Sequence, residues 1–135
     1  MSIRSILILL GLAAVWGCNN DVAPLHYTSQ AFRLRIEGKT TSPDGARVSP
    51  EFWTEAKAVP TLGRPFLREE YVSPNPAVVL LSHDLWEESF HSDPRIIGRQ
   101  VELDGVLTTV VGILPAGFHF PGNSKLWVPR EAGGK

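Results

Sequence analysis

Four histidines, His26, His83, His91 and His119, are the side chains best suited to metal ligation or proton transfer in this chain. Their spacing argues against both. A zinc-binding helix sets two histidines one turn apart, and the chain has no HxxxH or HxH pair and no short-range histidine–carboxylate motif that suggests ligation. His83 reads as a local hydrogen-bonding residue near a helix start, and His119 as a strand residue with one wet side. Ser82 beside His83 lacks the GxSxG frame of a nucleophile elbow, so it reads as a helix cap. The adjacent carboxylates Glu69–Glu70 and Glu87–Glu88 would point about 100° apart on a helix, which suits solvated faces and not a catalytic dyad. The glycines at 98, 105, 112, 117 and 122 form no phosphate-cradling pattern. Arg64 and Arg99, following Gly63 and Gly98, could meet an anion or a partner. A structural ion pair or bonds to carbonyls is the favoured reading for each. No catalytic residue, metal ligand or cofactor is assigned.

The elements around these residues centre on the stretch 77–105. Ala77–Leu81 is a short continuous apolar run, the pattern of a buried strand. Ser82 then caps a short helix on which Leu85, Trp86 and Phe90 form one apolar side. Asp93-Pro94 turns the chain, and Gly98-Arg99 leads into a strand. Asp104-Gly105 is a two-residue hairpin signal because both positions tolerate a positive φ. It pairs Leu103 with Val106 and Val101 with Thr108. Gly112 inside the second hairpin strand indicates a bulge or a close backbone approach.

Upstream, residues 31–38 alternate, with Phe32, Leu34 and Ile36 on one side and Arg33, Arg35 and Glu37 on the other. Residues 39–45 read as a loop, 46–48 as a short strand, and Ser49-Pro50-Glu51 as the start of a helix carrying Phe52, Trp53 and Ala56. Pro115 breaks the second hairpin strand. Phe118 and Phe120 bracket His119 at strand spacing, Pro121-Gly122 turns again, and Leu126–Pro129 is a last strand. The order β, β, α, β, α, hairpin, β predicts an α+β fold, with a mostly antiparallel sheet and short helices packed on it.

Composition bounds the partners. The chain has 135 residues, enough for one modest domain. A net charge of −1 with interspersed signs excludes the basic stripe of a nucleic-acid binder. Met1 to Trp16 has one arginine and an apolar run shorter than the roughly 20 residues of a membrane span, which is the build of a signal-peptide core. Val15-Trp16-Gly17-Cys18 resembles a bacterial lipobox, from which Trp16 departs. Cys18 is the only cysteine, so an acyl anchor fits it better than a disulfide or a thiolate metal site. The expected organisation is a leader over 1–18, a tether over 19–30, a domain over 31–129 and a frayed tail over 130–135.

A run of motifs in fixed order carries a resemblance. Gly63-Arg64, Ser82, Trp86, Phe90, Asp93-Pro94, Gly98-Arg99, Leu103-Asp-Gly105, Pro115, Phe118, Phe120-Pro121 and Trp127-Val-Pro129 resemble the MacB-like periplasmic core domain of ABC transporter permeases. The resemblance implies an extracytoplasmic α+β domain that is mechanical and non-catalytic, with ATP hydrolysed elsewhere. No long apolar helices follow before Lys135, so transport by this chain alone is not expected. The reading is a membrane-tethered docking or accessory element on the outer side of a bacterial membrane, or a truncated permease, with a permease or an adaptor protein as possible partner. The alternative is a lipoprotein module binding a peptide or apolar ligand through Trp53, Trp86, Phe118, Phe120 and Trp127. Those aromatics forming the core is the competing reading.

Overall fold

The computed structural model describes residues 26–73 and 77–130. Cys18, the expected leader, most of the expected tether and the tail beyond Arg130 lie outside the described residues. In chain order the elements are β1 (Tyr27–Ala31), β2 (Leu34–Ile36), β3 (Lys39–Thr41), β4 (Asp44–Val48), α1 (Pro50–Ala56) and β5 (Leu62–Gly63). They continue as α2 (Arg68–Val72), β6 (Ala77–Leu81), α3 (His83–Phe90), a 3-10 turn (Pro94–Ile96), β7 (Gln100–Leu103), β8 (Val106–Ile113) and β9 (Leu126–Pro129).

The strands form a single sheet in the order β1-β4-β9-β6-β8-β7-β2-β3, with β5 also paired to β8. Pairs β6–β8 and β4–β9 are parallel. The remaining pairs are antiparallel, so the expected mostly antiparallel α+β class holds.

This order forces the sheet to curl. Strands β1 and β2 are separated in sequence only by Phe32 and Arg33, yet they stand first and seventh in the sheet. In a flat sheet, strands six spacings apart would be about 28 Å from each other. The connection from Ala31 to Leu34 spans at most about 11 Å. At this corner a reciprocal pair of bonds extends the β2–β7 ladder: the Arg33 N–H donates to Asp104 Oδ1, and the Asp104 N–H donates to the Arg33 carbonyl, both at 2.8 Å.

Strand β6 explains the two layers. Its alternate residues all lie in apolar surroundings, which is why its sequence is an unbroken apolar run. Val79 and Leu81 join Phe32, Leu34, Leu103, Val110 and Val128 inside the curl, where Leu85 and Phe90 of α3 also pack. Val78 and Leu80 join Ala46, Val48, Val111 and Trp127 on the outer face, covered by Phe52 of α1 and Tyr71 of α2.

Several local expectations change. Phe32 and Leu34 are buried as the alternation indicates, but the stretch is two strands, because the chain passes from one end of the sheet to the other at Phe32–Arg33. The stretch read as a loop after Gly38 holds β3: Glu37 and Gly38 take φ of 49° and 83° and turn a hairpin. Strand β1 begins at Tyr27, inside the stretch read as a tether, and pairs along its whole length with β4. Residues 118–120 form no strand; they lie in the loop between β8 and β9.

Candidate functional site

The residues singled out by sequence gather in three places. Around α3 the Ser82 Oγ accepts the Leu85 N–H at 3.0 Å and is fully buried, so the serine is a helix cap. Trp86 donates its indole N–H to the Asp93 carbonyl at 2.9 Å, tying the helix to the turn that follows. Asp93 in turn accepts from the Arg95 N–H and guanidinium, and those bonds hold its carboxyl below the usual range, with Arg99 adding to the effect. Phe90 is buried, and the Gly98 N–H donates to the Val110 carbonyl at 2.7 Å. Arg99 is exposed and is held here through its backbone, its N–H on the Ile96 carbonyl.

The second place is the contact between β5 and β8. Gly63 lies directly opposite Gly112. A side chain on Gly63 would begin 2.1 Å from the Val111 carbonyl oxygen, so only glycine lets the two backbones approach. At Gly112 both readings hold, a register shift beside it and a close approach. Arg64 then forms a bidentate pair with Glu70, at 3.1 and 2.9 Å. The Glu70 carboxylate also accepts the Leu67 N–H at 2.7 Å, anchoring the start of α2. Arg64 is thus a structural ion pair. Glu70 was read as solvated, and that is corrected: its side chain is 11% exposed, because α2 turns it back onto Arg64.

The third place is the outer aromatic layer. Trp127 is fully buried and donates its N–H to the Phe120 carbonyl at 2.9 Å. Phe118 leans on Trp127 and Trp53, while Trp53 donates to the Tyr71 hydroxyl at 2.9 Å. Burial pushes the Tyr71 phenol up to about 12, against the opposing effect of the Trp53 N–H. Phe120 is half exposed and stacks on Phe52; its peptide to Pro121 is cis. The Pro121 carbonyl accepts the Ser124 hydroxyl at 2.6 Å, Pro115 opens a turn closed by the Phe118 N–H, and Pro129 ends β9 opposite Val48. Gly105 and Asp104 take positive φ in the hairpin turn, as expected. The five aromatics proposed as one ligand face do not share a face, since Trp86 packs inside the curl and Trp127 is sealed.

The histidines are the part that sequence reasoning missed. His83, Asp84 and Glu87 bring ligand-type atoms within 4.8 Å of one another, a spacing a divalent cation would accept. The signal was the H-D-x-x-E order on one helix turn. Asp84 also faces His119, with Oδ2 at 3.2 Å from Nε2, so the loop residue and the helix start are coupled.

Each marked residue with a described role thus caps, turns, pins or fills. Comparison with known proteins identifies the family. The family model of the MacB-like periplasmic core domain matches residues 10–134, beginning inside the stretch read as a leader, and the chain belongs to that family. Its fold is similar to the extracellular domain of YknZ, a noncanonic ABC-type transporter from Gram-positive bacteria, at a TM-score of 0.64 and 19% identity, covering 77% of this chain and 52% of that one. It is also similar to the periplasmic region of MacB from Actinobacillus actinomycetemcomitans, at 0.63 and 16% identity, covering 76% of this chain and 45% of that one. The chain thus spans about half the length of these structures. No curated protein sequence matches it. Among the described residues no helix is long and apolar enough to cross a membrane.

Proposed function

We propose that this domain is a non-catalytic, extracytoplasmic docking or accessory element related to ABC transporter permeases, working beside a permease or an adaptor protein. The family match over 10–134 is the observation that carries this reading. The spending of Ser82, Arg64, Asp93 and Trp127 on internal contacts supports it, since it leaves the marked residues to build shape. A membrane tether through Cys18 belongs to the same proposal. Exposed apolar side chains at the β7–β8 hairpin, Val106 at 54% and Leu107 at 62%, supply a contact tip that a partner would cover.

Site-specific photocrosslinking from position 107 in the native bacterium, with the product identified by mass spectrometry, tests the docking reading. A permease or adaptor of an ABC system is the expected product; a protein of another class, or no product, overturns it. The tether has its own test. Palmitate labelling should be lost in Cys18→Ala, and equal labelling of the two proteins would remove the anchor.

A further inference from the structure

Helix α3 and the loop before β9 meet at one end of the sheet and bring two histidines and two carboxylates together. Ser82, which follows β6, sets where the helix starts: its N–H donates to the Lys125 carbonyl at 2.8 Å, and its Oγ accepts the Leu85 N–H. His83 and Glu87 then stand one turn apart, with Nδ1 and Oε1 at 3.7 Å. With Asp84 they offer three ligand atoms within 4.8 Å of one another. The fourth residue comes from the loop. His119 Nε2 lies 3.2 Å from Asp84 Oδ2, and the loop is held by the Ser124 N–H on the His119 carbonyl at 3.0 Å.

The side chains are held in place by neighbours. The His83 ring packs edge-on against Trp86 at 5.4 Å, and that indole is itself fixed on the Asp93 carbonyl. His119 Nδ1 is buried and has no hydrogen-bond partner among the described residues, so a proton there would be left unpaired. The proton of the neutral imidazole belongs on Nε2, where it donates to Asp84 and leaves the carboxylate with lone pairs for a further ligand bond. The charged contacts of Asp84 and Glu87 are with these two histidines, while Arg35, Arg64 and Arg95 are paired with other carboxylates. Lys125 lines a recess with Glu88 and Ser89, on another face of α3. With both imidazoles neutral, the group carries two negative charges, the complement of a divalent cation.

One imidazole nitrogen and two carboxylate oxygens suit a transition-metal dication. Magnesium and calcium take oxygen donors and would leave the nitrogen unused. Ligand atoms about 2.1 Å from zinc stand roughly 3–4 Å apart, so the His83–Glu87 pair already has that spacing. A hydrogen bond to a ligating carboxylate is the usual outer support of such a site, and His119 supplies it.

We propose that His83, Asp84 and Glu87 bind a divalent transition-metal ion of the zinc type, with His119 positioning the Asp84 carboxylate. The site lies at the Leu81 end of β6, away from the hairpin tip, and does not depend on the docking reading.

Calorimetric titration of the full chain with zinc chloride, and separately with magnesium chloride, tests it. Cys18→Ser is the background, so that the thiol cannot take the ion. A single zinc ion should bind, at least about tenfold more tightly than magnesium, and should raise the urea midpoint. His83→Ala and Glu87→Ala change partly exposed side chains, so they should fold, and each should weaken zinc at least about tenfold. His119→Ala should weaken it by roughly tenfold, as loss of an outer partner does. His26→Ala, which removes a histidine paired with Glu55 instead, should leave zinc binding unchanged. Absence of zinc binding, or undiminished binding in His83→Ala, overturns the site. Equal affinity for magnesium overturns ligation by His83, and undiminished binding in His119→Ala overturns its positioning role. A loss in His26→Ala as large as in His83→Ala would mean binding to scattered histidines and would also overturn the site.

Discussion

Replacing Gly63 with alanine measures how much of this fold depends on one backbone contact, and Gly105 supplies the control. Both glycines have positive φ, 80° and 82°. An L-residue there costs roughly 1–2 kcal/mol, offset by about 0.4–1 kcal/mol from the stiffer unfolded chain. That is the whole cost at Gly105, where an added Cβ has nothing within 4 Å. At Gly63 the Cβ would lie 2.1 Å from the Val111 oxygen and 2.7 Å from the Gly112 Cα. Ordinary contact is about 3.5–4.0 Å, and both obstacles are backbone, so no rotamer change relieves them. Strand β5 would have to leave β8, straining the flanking bonds from the Thr61 and Arg64 N–H groups to the Ile113 and Val111 carbonyls, at 2.8 and 2.9 Å. Overpacking of this kind typically costs ~1–3 kcal/mol. Gly105→Ala should therefore lose about 1 kcal/mol and Gly63→Ala about 2 kcal/mol more, a separation of about 1 M in urea midpoint. Urea unfolding followed by tryptophan fluorescence reads the difference. Equal midpoints for the two variants would refute the argument, because they would leave only the shared φ effect.

Three further outcomes follow from named contacts. Ser82→Ala removes the cap of α3 and should destabilise by about 1.5–2 kcal/mol, the upper part of the usual range for a lost cap, because the site is buried; an unchanged urea midpoint would deny the cap. Asp93 has its folded pKa depressed by Arg95, so its contribution is present above the unfolded carboxyl pKa and fades as pH falls through the folded value. Asp93→Asn should thus be less stable than wild type at neutral pH and match it in acid, and a gap independent of pH would contradict the pairing. Tyr71 has its folded pKa raised to about 12 by burial, so stability is full below the unfolded value near 10 and declines as pH rises through 12. Ultraviolet titration of Tyr27→Phe, which leaves Tyr71 as the only tyrosine, should show ionisation near 12 in the folded protein; a step near 10 would mean that Tyr71 is wet.

Local signals in the sequence were legible wherever one contact decided them. The Ser82 cap, the Asp104-Gly105 turn, the buried run of β6 and the facing of Phe32 and Leu34 all depend on neighbours within a few residues or on strand period alone. Signals failed where the partner lay beyond one helical turn or outside the strand period. Nothing local says that Glu70 will be turned onto Arg64, or that Tyr27–Ala31, polar and mostly exposed, will pair with Asp44–Val48. His119 read as a strand residue because Phe118 and Phe120 flank it. Its actual place depends on Asp84, 35 positions earlier in the chain, and on a loop held by Ser124.

The curl shows the same division at the scale of the whole fold. Alternation from Phe32 to Glu37 correctly gave the buried side, yet it could not show that the chain changes neighbours at Arg33. The change is made by the two-residue link Phe32–Arg33, and Asp104, whose turn conformation was readable, meets Arg33 there as the next step of the β2–β7 ladder. A hairpin turn needs only a residue that tolerates positive φ, and asparagine would serve at position 104. The Asp104 side chain also accepts the Arg33 N–H and so fastens the start of β2 to its neighbour β7. A residue explained in the sequence by its turn is explained in the structure by the strand it fastens.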